Sequence, residues 1–373
     1  MPKLHPCTFY LPKTPEHQVL HSLDDYTADE LKSLKQKQKK GFIQIIYPNL
    51  TQADKNKKIR ERWLKAISEN HFLKKDNPCI YYYKISTSEH TYTGLICGIN
   101  SKEFEKGSIT QHEKTYPKRA TLMASYLDEV QIQAEPVVVI TEDDPLQSLV
   151  PLEIEKRQTI VSFTFDQTQH QIWQLIDSET QRLSKWSEQQ PYFHLADGHH
   201  RVASITTLSK IKNKDFLVSC FLVSQNSIYL HSFIWFFKKT LSTQIVDILI
   251  EKIKVFNGVP TSLDANSKKK YDITIKIKKY YFGISTVVGL TPEFIREQIL
   301  DTFPDILDEL CYQPDVDPHS YSENMSQFDL VFYMKPCSKE MLFDYAKKGK
   351  ILPAKSTYIL PKLVSGLFIS HFN

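Results

Sequence analysis

The chain has 373 residues, 41% of them apolar, with 21 Phe, 19 Tyr and only 10 Gly against 19 Pro; this is the composition of two or three packed units and excludes a long disordered or low-complexity region. Basic residues number 47 and acidic ones 43, a formal charge of +4 that makes no general case for nucleic-acid binding. Cys7, Cys79, Cys97, Cys220, Cys311 and Cys337 form no C-x-x-C pair, and no stretch reaches the roughly 20 apolar residues of a membrane span; a reducing, cytoplasmic location is expected, with neither a zinc knuckle nor a disulfide framework.

Taken in chain order, Phe42 to Tyr47 reads as a buried strand, while Ile59, Trp63 and Ile67 recur every four positions on one helix face. Ile80 to Ile85, Tyr92 to Ile99 and Val137 to Ile140 are β-rich, and Lys118 to Leu127 has a helical composition. Val161 to Phe165 reads as a strand, the stretch with Ile172, Trp173, Leu175 and Ile176 as a helix, and Tyr192 to Leu195 as a short strand. Val202, Ile205, Leu208 and Ile211 mark the apolar face of a helix, and Phe216 to Val223 is a continuous strand-like run. A lysine-rich polar stretch with Ser267-Lys268-Lys269-Lys270 reads as a solvated boundary loop; beyond it, Tyr271 to Ile277 alternates like a half-buried strand and Pro292 to Leu307 looks helical. The expected fold class is α/β, mixed sheets with flanking helices, in an N-terminal region 1–150, a middle unit 151–261 and a C-terminal lobe 262–373.

The densest chemistry is Asp197-Gly198-His199-His200-Arg201, set between an apolar strand and an amphipathic helix. Asp197 can cap that helix, and Gly198 permits a tight turn with close ligand approach. The first free backbone N–H groups of the helix suit a phosphate or carboxylate, Arg201 can grip two oxygens, and a histidine can move a proton. His199 and His200 cannot both face one point, so one contacts ligand and the other packs behind it. They also lack the i, i+4 spacing of a metal pair, and no metal ligand set can be assigned. Two weaker constellations are His112-Glu113-Lys114-Thr115, in a charged loop before a helix, and Lys355-Ser356-Thr357, which lacks the glycine-rich lead of a P-loop. Taken alone, the first reads as solvated surface and the second as the entry to a surface strand.

In this order the three segments resemble the bacterial domain-of-unknown-function 1015 family, with its HExT, ADGHHR and terminal PKSTYxxPKxxxGL patterns. Here they run His112 to Thr115, Ala196 to Arg201, and Pro353 to Tyr358 with Pro361, Lys362, Ser365, Gly366 and Leu367. The middle motif also resembles that of free serine kinases with a ParB and sulfiredoxin type of core, which implies such a core with additional lobes. It further implies a phosphotransferase that phosphorylates free L-serine from pyrophosphate, or from ADP or ATP, with Mg²⁺ offsetting charge. By that resemblance, the donor phosphates rest on Asp197, Gly198, His199 and Arg201, with His112, Thr115, Lys355, Ser356 and Thr357 closing on the ligand. Glu113, Asp197 and His200 then form the catalytic set, Glu113 taking the serine proton. The partners implied are an anionic small molecule and an amino acid.

The chain departs from the family pattern at Leu122-Met123, where an aspartate-arginine pair is usual, at Leu23-Asp24-Asp25-Tyr26, and at Ile234-Trp235. The loss of two arginines removes charge that a pyrophosphate needs. Two other readings therefore stand beside the kinase: a ParB-type module binding nucleotide or nucleic acid, and an interaction protein with a vestigial site.

Overall fold

The computed structural model describes residues 1–47, 52–113, 115–262, 270–285, 290–316, 325–353 and 355–372. Lys114 of the HEKT segment, Ala354, and Ser267 to Lys269 of the lysine-rich loop lie outside the described residues. The fold is mixed α/β. It forms two compact units that divide the chain elsewhere than at residues 150 and 261: the first takes residues 1–111, 115–228 and 361–373, the second 112–114 and 229–360.

In the first unit, the chain lays down β1 (Leu4–His5), helix α1 (Gln52–Ser68), β2 (Tyr81–Ser86), β3 (Thr91–Asn100), β4 (Ile109–Thr110), α2 (Pro117–Val130) and β5 (Val137–Thr141). Then follow β6 (Val161–Phe165), β7 (Thr168–Gln174), α3 (Asp177–Ser187), β8 (Phe193–Asp197), α4 (His199–Lys212) and β9 (Leu217–Ser224). The strands form one sheet in the order β4-β8-β5-β9-β3-β2-β7-β6, with β1 also on β3. β8 runs parallel to β4 and β9 parallel to β5, while the other pairs are antiparallel, so the sheet is mixed. Val and Ile runs such as Val137–Thr141 are buried along their whole length, as strands between neighbours must be. Helix α2 packs on α4 and α1 on α2, and Val202, Ile205 and Leu208 of α4 join Val137, Val139, Leu195 and Leu222 in the core. Ile211, expected on that face, is exposed at the end of the helix.

Two segments of the first unit differ from the reading above. Phe42–Ile46 is a short helix after Gly41, with Phe42, Ile43 and Ile45 buried; a short apolar run has no periodicity to separate strand from helix. The Ile172-Trp173 stretch is strand β7, the second arm of a hairpin with β6. Its two-residue turn, Asp166-Gln167, has both residues at positive φ (46° and 61°), and without the usual Asn-Gly or Asp-Gly pair the sequence hides it. The helix of this region comes later, at α3.

The second unit holds β10 (Phe233–Phe237), α5 (Thr243–Val255), β11 (Val259–Thr261), β12 (Ile273–Ile277), β13 (Tyr280–Ile284), β14 (Cys311–Pro314) and β15 (Leu330–Met334). They form an antiparallel sheet ordered β11-β13-β12-β15-β10-β14. β12 was expected to be half-buried but is buried throughout, because both faces are covered. Lys276 sits on it nearly inaccessible, its ammonium donating to the carbonyls of Ser326 and Phe328. The segment expected as one helix from Pro292 to Leu307 is instead a helical turn at Thr291–Phe294, a π-turn at Ile295–Ile299 and a second short helix at Pro304–Asp308.

Candidate functional site

Strand β8 ends on Asp197, and Gly198 turns the chain into the 14-residue helix α4. Pairing with β5 slips between Leu195 and Asp197, a bulge that breaks the alternation which would carry Asp197 into the core after Leu195. Gly198 has φ +93°, and a Cβ there would stand 2.6 Å from Cγ1 of Val137 and 3.1 Å from Cζ of Arg201. Both its backbone conformation and the space around it demand glycine.

Asp197 does not cap the helix as expected. Gly198 occupies the cap position with no side-chain cap bond, and the Asp197 carboxylate turns to two cations. Its Oδ2 accepts from Arg201 Nη2 at 2.7 Å, one helical turn on, and its Oδ1 accepts from Lys362 Nζ at 2.7 Å, 165 residues away. Burial pushes this carboxyl up from its ordinary 3.8, but Lys362 and Arg201, with His199 adding to them, outweigh it and hold it at about 2. At neutral pH it is an anion fixed between two cations, and too acidic to serve as a general base.

Arg201 is more committed than its motif suggests. Nη1 donates to the carbonyls of Glu135 at 2.9 Å and Pro136 at 2.8 Å, and lies 3.4 Å from the Glu135 carboxylate. Ser365 donates to that same carboxylate at 3.3 Å, and the Gly366 N–H donates to the Ala134 carbonyl at 2.9 Å. The terminal Pro361-Lys362…Ser365-Gly366 segment is thus laced to Asp197 and to the loop before β5. Lys362 was not among the residues assigned to the site by sequence, although the Pro-Lys pair of the terminal pattern was the signal that could have found it.

The two histidines differ in burial. His199 is buried; His200 is half-buried and stacks on Tyr116, ring centroids 5.9 Å apart and 10° from parallel. Thr115 lies half-buried at the approach to α2 in this same unit. A neighbouring cluster escaped sequence reasoning. His194, buried on β8, has Nδ1 2.5 Å from the Thr110 hydroxyl and Nε2 3.2 Å from the Glu142 carboxylate. Thr110 is 84 residues away and Glu142 52, so no local pattern links the three.

His112, Glu113, Lys355, Ser356 and Thr357 belong to the second unit. There His112 is buried, its Nε2 3.3 Å from the Thr357 hydroxyl, its carbonyl accepting from Leu352 N–H at 2.7 Å. Glu113 pairs with Leu352 in a parallel bridge. Ser356 donates to the Pro353 carbonyl at 2.6 Å, and Lys355 is left-handed at φ +61°, its carbonyl accepting from Trp235 Nε1 at 3.0 Å. Ile234 and Trp235 are fully buried in β10.

Among the described residues, no three His, Cys, Asp or Glu side chains are grouped to hold a metal, and no helix is long and apolar enough to cross a membrane. Mg²⁺ needs free carboxylate or phosphate oxygens. Asp197, with each oxygen already bonded to a cation, does not fit that role in this arrangement.

Residues 11–226 match the family model described as Protein of unknown function (DUF1015). The chain belongs to this family. The match takes in the HEKT and ADGHHR segments, whereas the terminal motif lies beyond it. No curated protein matches the chain. Among solved structures, a free serine kinase mutant in complex with ADP is similar at 12% identity, covering 74% of this chain and 92% of that one, with a TM-score of 0.44. SbnI with a C-terminal truncation, from Staphylococcus aureus, is similar at 13% identity over 73% of this chain and 87% of that one, TM-score 0.43. A conserved hypothetical protein from Pyrococcus furiosus is similar at 14% over 73% and 95%, TM-score 0.40. At such identities the chemistry has to be argued from this chain's own residues.

Proposed function

We propose that the chain is a phosphotransferase acting on a small hydroxyl-bearing molecule, with free L-serine as substrate and O-phospho-L-serine as product. One observation carries the reading: Arg201 of the ADGHHR turn and Lys362 of the terminal motif meet on the Asp197 carboxylate, where the left-handed Gly198 opens the N-terminus of helix α4. Backbone N–H groups at a helix start favour phosphate oxygens, and a fixed cation beside them adds to that field. Asp197 then acts as the anchor that fixes Lys362 and Arg201.

In the transfer, the serine oxygen forms a bond to the donor phosphorus as the bond to the leaving phosphate or nucleotide breaks, and the hydroxyl proton passes to a carboxylate. By the family resemblance that acceptor is Glu113. His199, His200, His112, Thr115 and Lys355 to Thr357 are the further candidates for ligand contact. Pyrophosphate is the first donor to test, then ADP and ATP, with Mg²⁺ supplied as the partner of the donor phosphates.

The test is phosphoserine formation from L-serine with each donor in turn, on the wild type and on Asp197→Ala. Product with one donor, lost in the variant, supports the reading. No product with any donor overturns it, and a donor that still raises the melting temperature without turnover would make the chain a binding protein instead.

A further inference from the structure

A cavity of about 620 Å³ lies wholly within the first unit, walled by α1, α2, α4 and the loop before β5. At ~30 Å³ per water molecule this is space for roughly twenty, within the range of sites that enclose a small organic molecule. Its walls are apolar: Ile59 on α1, Leu122, Met123 and Tyr126 on α2, and Ile205 on α4. Tyr126 is half-buried, packed on the core beside the cavity, and burial pushes its phenol up to about 12. Leu122 is 73% exposed, an apolar side chain of α2 that the core leaves uncovered.

The charges on the lining fall into two sets. Arg201 and Glu135 answer each other at 3.4 Å, so that part of the wall needs no ligand charge. Lys55 and Arg119 also line the cavity, and among the described residues neither has a carboxylate within 4.0 Å. A half-open, largely apolar pocket with two cations that no carboxylate among the described residues pairs is complementary to a molecule that is apolar along its body and anionic at one end.

We propose that this cavity binds a small amphipathic carboxylate, its hydrocarbon body against Leu122, Met123 and Tyr126 and its anionic end at Lys55 and Arg119. The cavity adjoins the Asp197–Lys362 pair, sharing Arg201 with it, but its apolar wall and the two cations lie outside that cluster and the proposal does not rest on phosphotransfer.

Calorimetric titration with dodecanoate below its micelle concentration tests it, with dodecanol as the neutral analogue and butyrate as the short one. Dodecanoate binds saturably to the wild type, dodecanol and butyrate at least about tenfold more weakly, and Leu122→Glu and Arg119→Glu each weaken dodecanoate about tenfold. Both side chains are exposed, so unliganded melting temperatures stay at the wild-type value and a folding defect is distinguishable from a lost site. The proposal is overturned by an absence of saturable binding, by equal affinity for dodecanol, by unchanged affinity in both variants, or by ADP occupying the cavity where dodecanoate does not.

Discussion

The DGHHR turn and the Lys355-Ser356-Thr357 segment both look like phosphate sites when read as strings of residues, yet Asp197 and Arg201 of the first and Ser356 of the second are held in opposite ways. Asp197 is bonded to Lys362, 165 residues along the chain, and Arg201 reaches two carbonyls 65 and 66 residues back. Ser356 spends its hydroxyl on a carbonyl three residues away, and Lys355 places its ammonium 5.5 Å from the centre of the Phe233 ring. A charged group fixed by distant partners is oriented by the fold and is available to set a field. A polar group satisfied by its own turn is mainly shaping that turn.

The sharpest way to break this contrast is to remove the shared anion. Asp197→Ala leaves Lys362 without its carboxylate and Arg201 with Glu135 alone, which should cost about 3 kcal/mol in urea unfolding at pH 7, the low end for a buried pair because these groups are partly exposed. Ser356→Ala should cost about 1 kcal/mol, the net worth of one hydrogen bond. Equal losses would remove the distinction. The linkage is also signed: the Asp197 carboxyl is held at about 2 against an ordinary 3.8, so its contribution is complete above 3.8 and disappears as pH falls through 2.

Acid should reach a second buried group first. His170 on β7 is nearly inaccessible, Nδ1 2.6 Å from the Tyr83 hydroxyl and its ring stacked on Phe163 with centroids 4.8 Å apart. Burial, with the nearby His21 adding to it, lowers its pKa from 6.5 to about 4. Above 6.5 both folded and unfolded chains carry it neutral; below, the unfolded chain takes up a proton that the folded one refuses. Stability should therefore fall by about 2 kcal/mol between pH 7 and pH 5 and go on falling to pH 4. His170→Gln should flatten that slope while leaving the loss near pH 2 in place. A slope that persists in the variant assigns the acid sensitivity elsewhere.

What could be read from the sequence follows the range of the interactions involved. The α4 face of Val202, Ile205 and Leu208 and the runs that became β2, β3, β5 and β9 were legible because burial repeats at helical or strand spacing within a dozen residues. The DGHHR turn stood out because a left-handed glycine between strand and helix has few substitutes. That Lys362 pairs with Asp197, and Thr110 and Glu142 with His194, was not legible, since those contacts form only when segments far apart in the chain become neighbours. Phe42–Ile46 and Ile172-Trp173 failed for a different reason: each is too short for its period to show, and the hairpin turn at Asp166-Gln167 uses residues that do not announce it.

The smallest effect tests the local half of the contrast. Lys355 adopts φ +61°, which costs a non-glycine residue about 1 kcal/mol, while its ammonium gains about 0.5 kcal/mol or more over the Phe233 ring and its carbonyl accepts from Trp235 whatever the side chain. Lys355→Gly relieves the strain, removes the ring contact and adds freedom to the unfolded chain. These terms oppose one another, so stability should move by less than about 1 kcal/mol in either direction. A loss above 2 kcal/mol in the absence of ligand would mean that the Lys355 ammonium is held by the fold as firmly as Lys362, and the terminal segment would then join the DGHHR turn as a fixed source of charge.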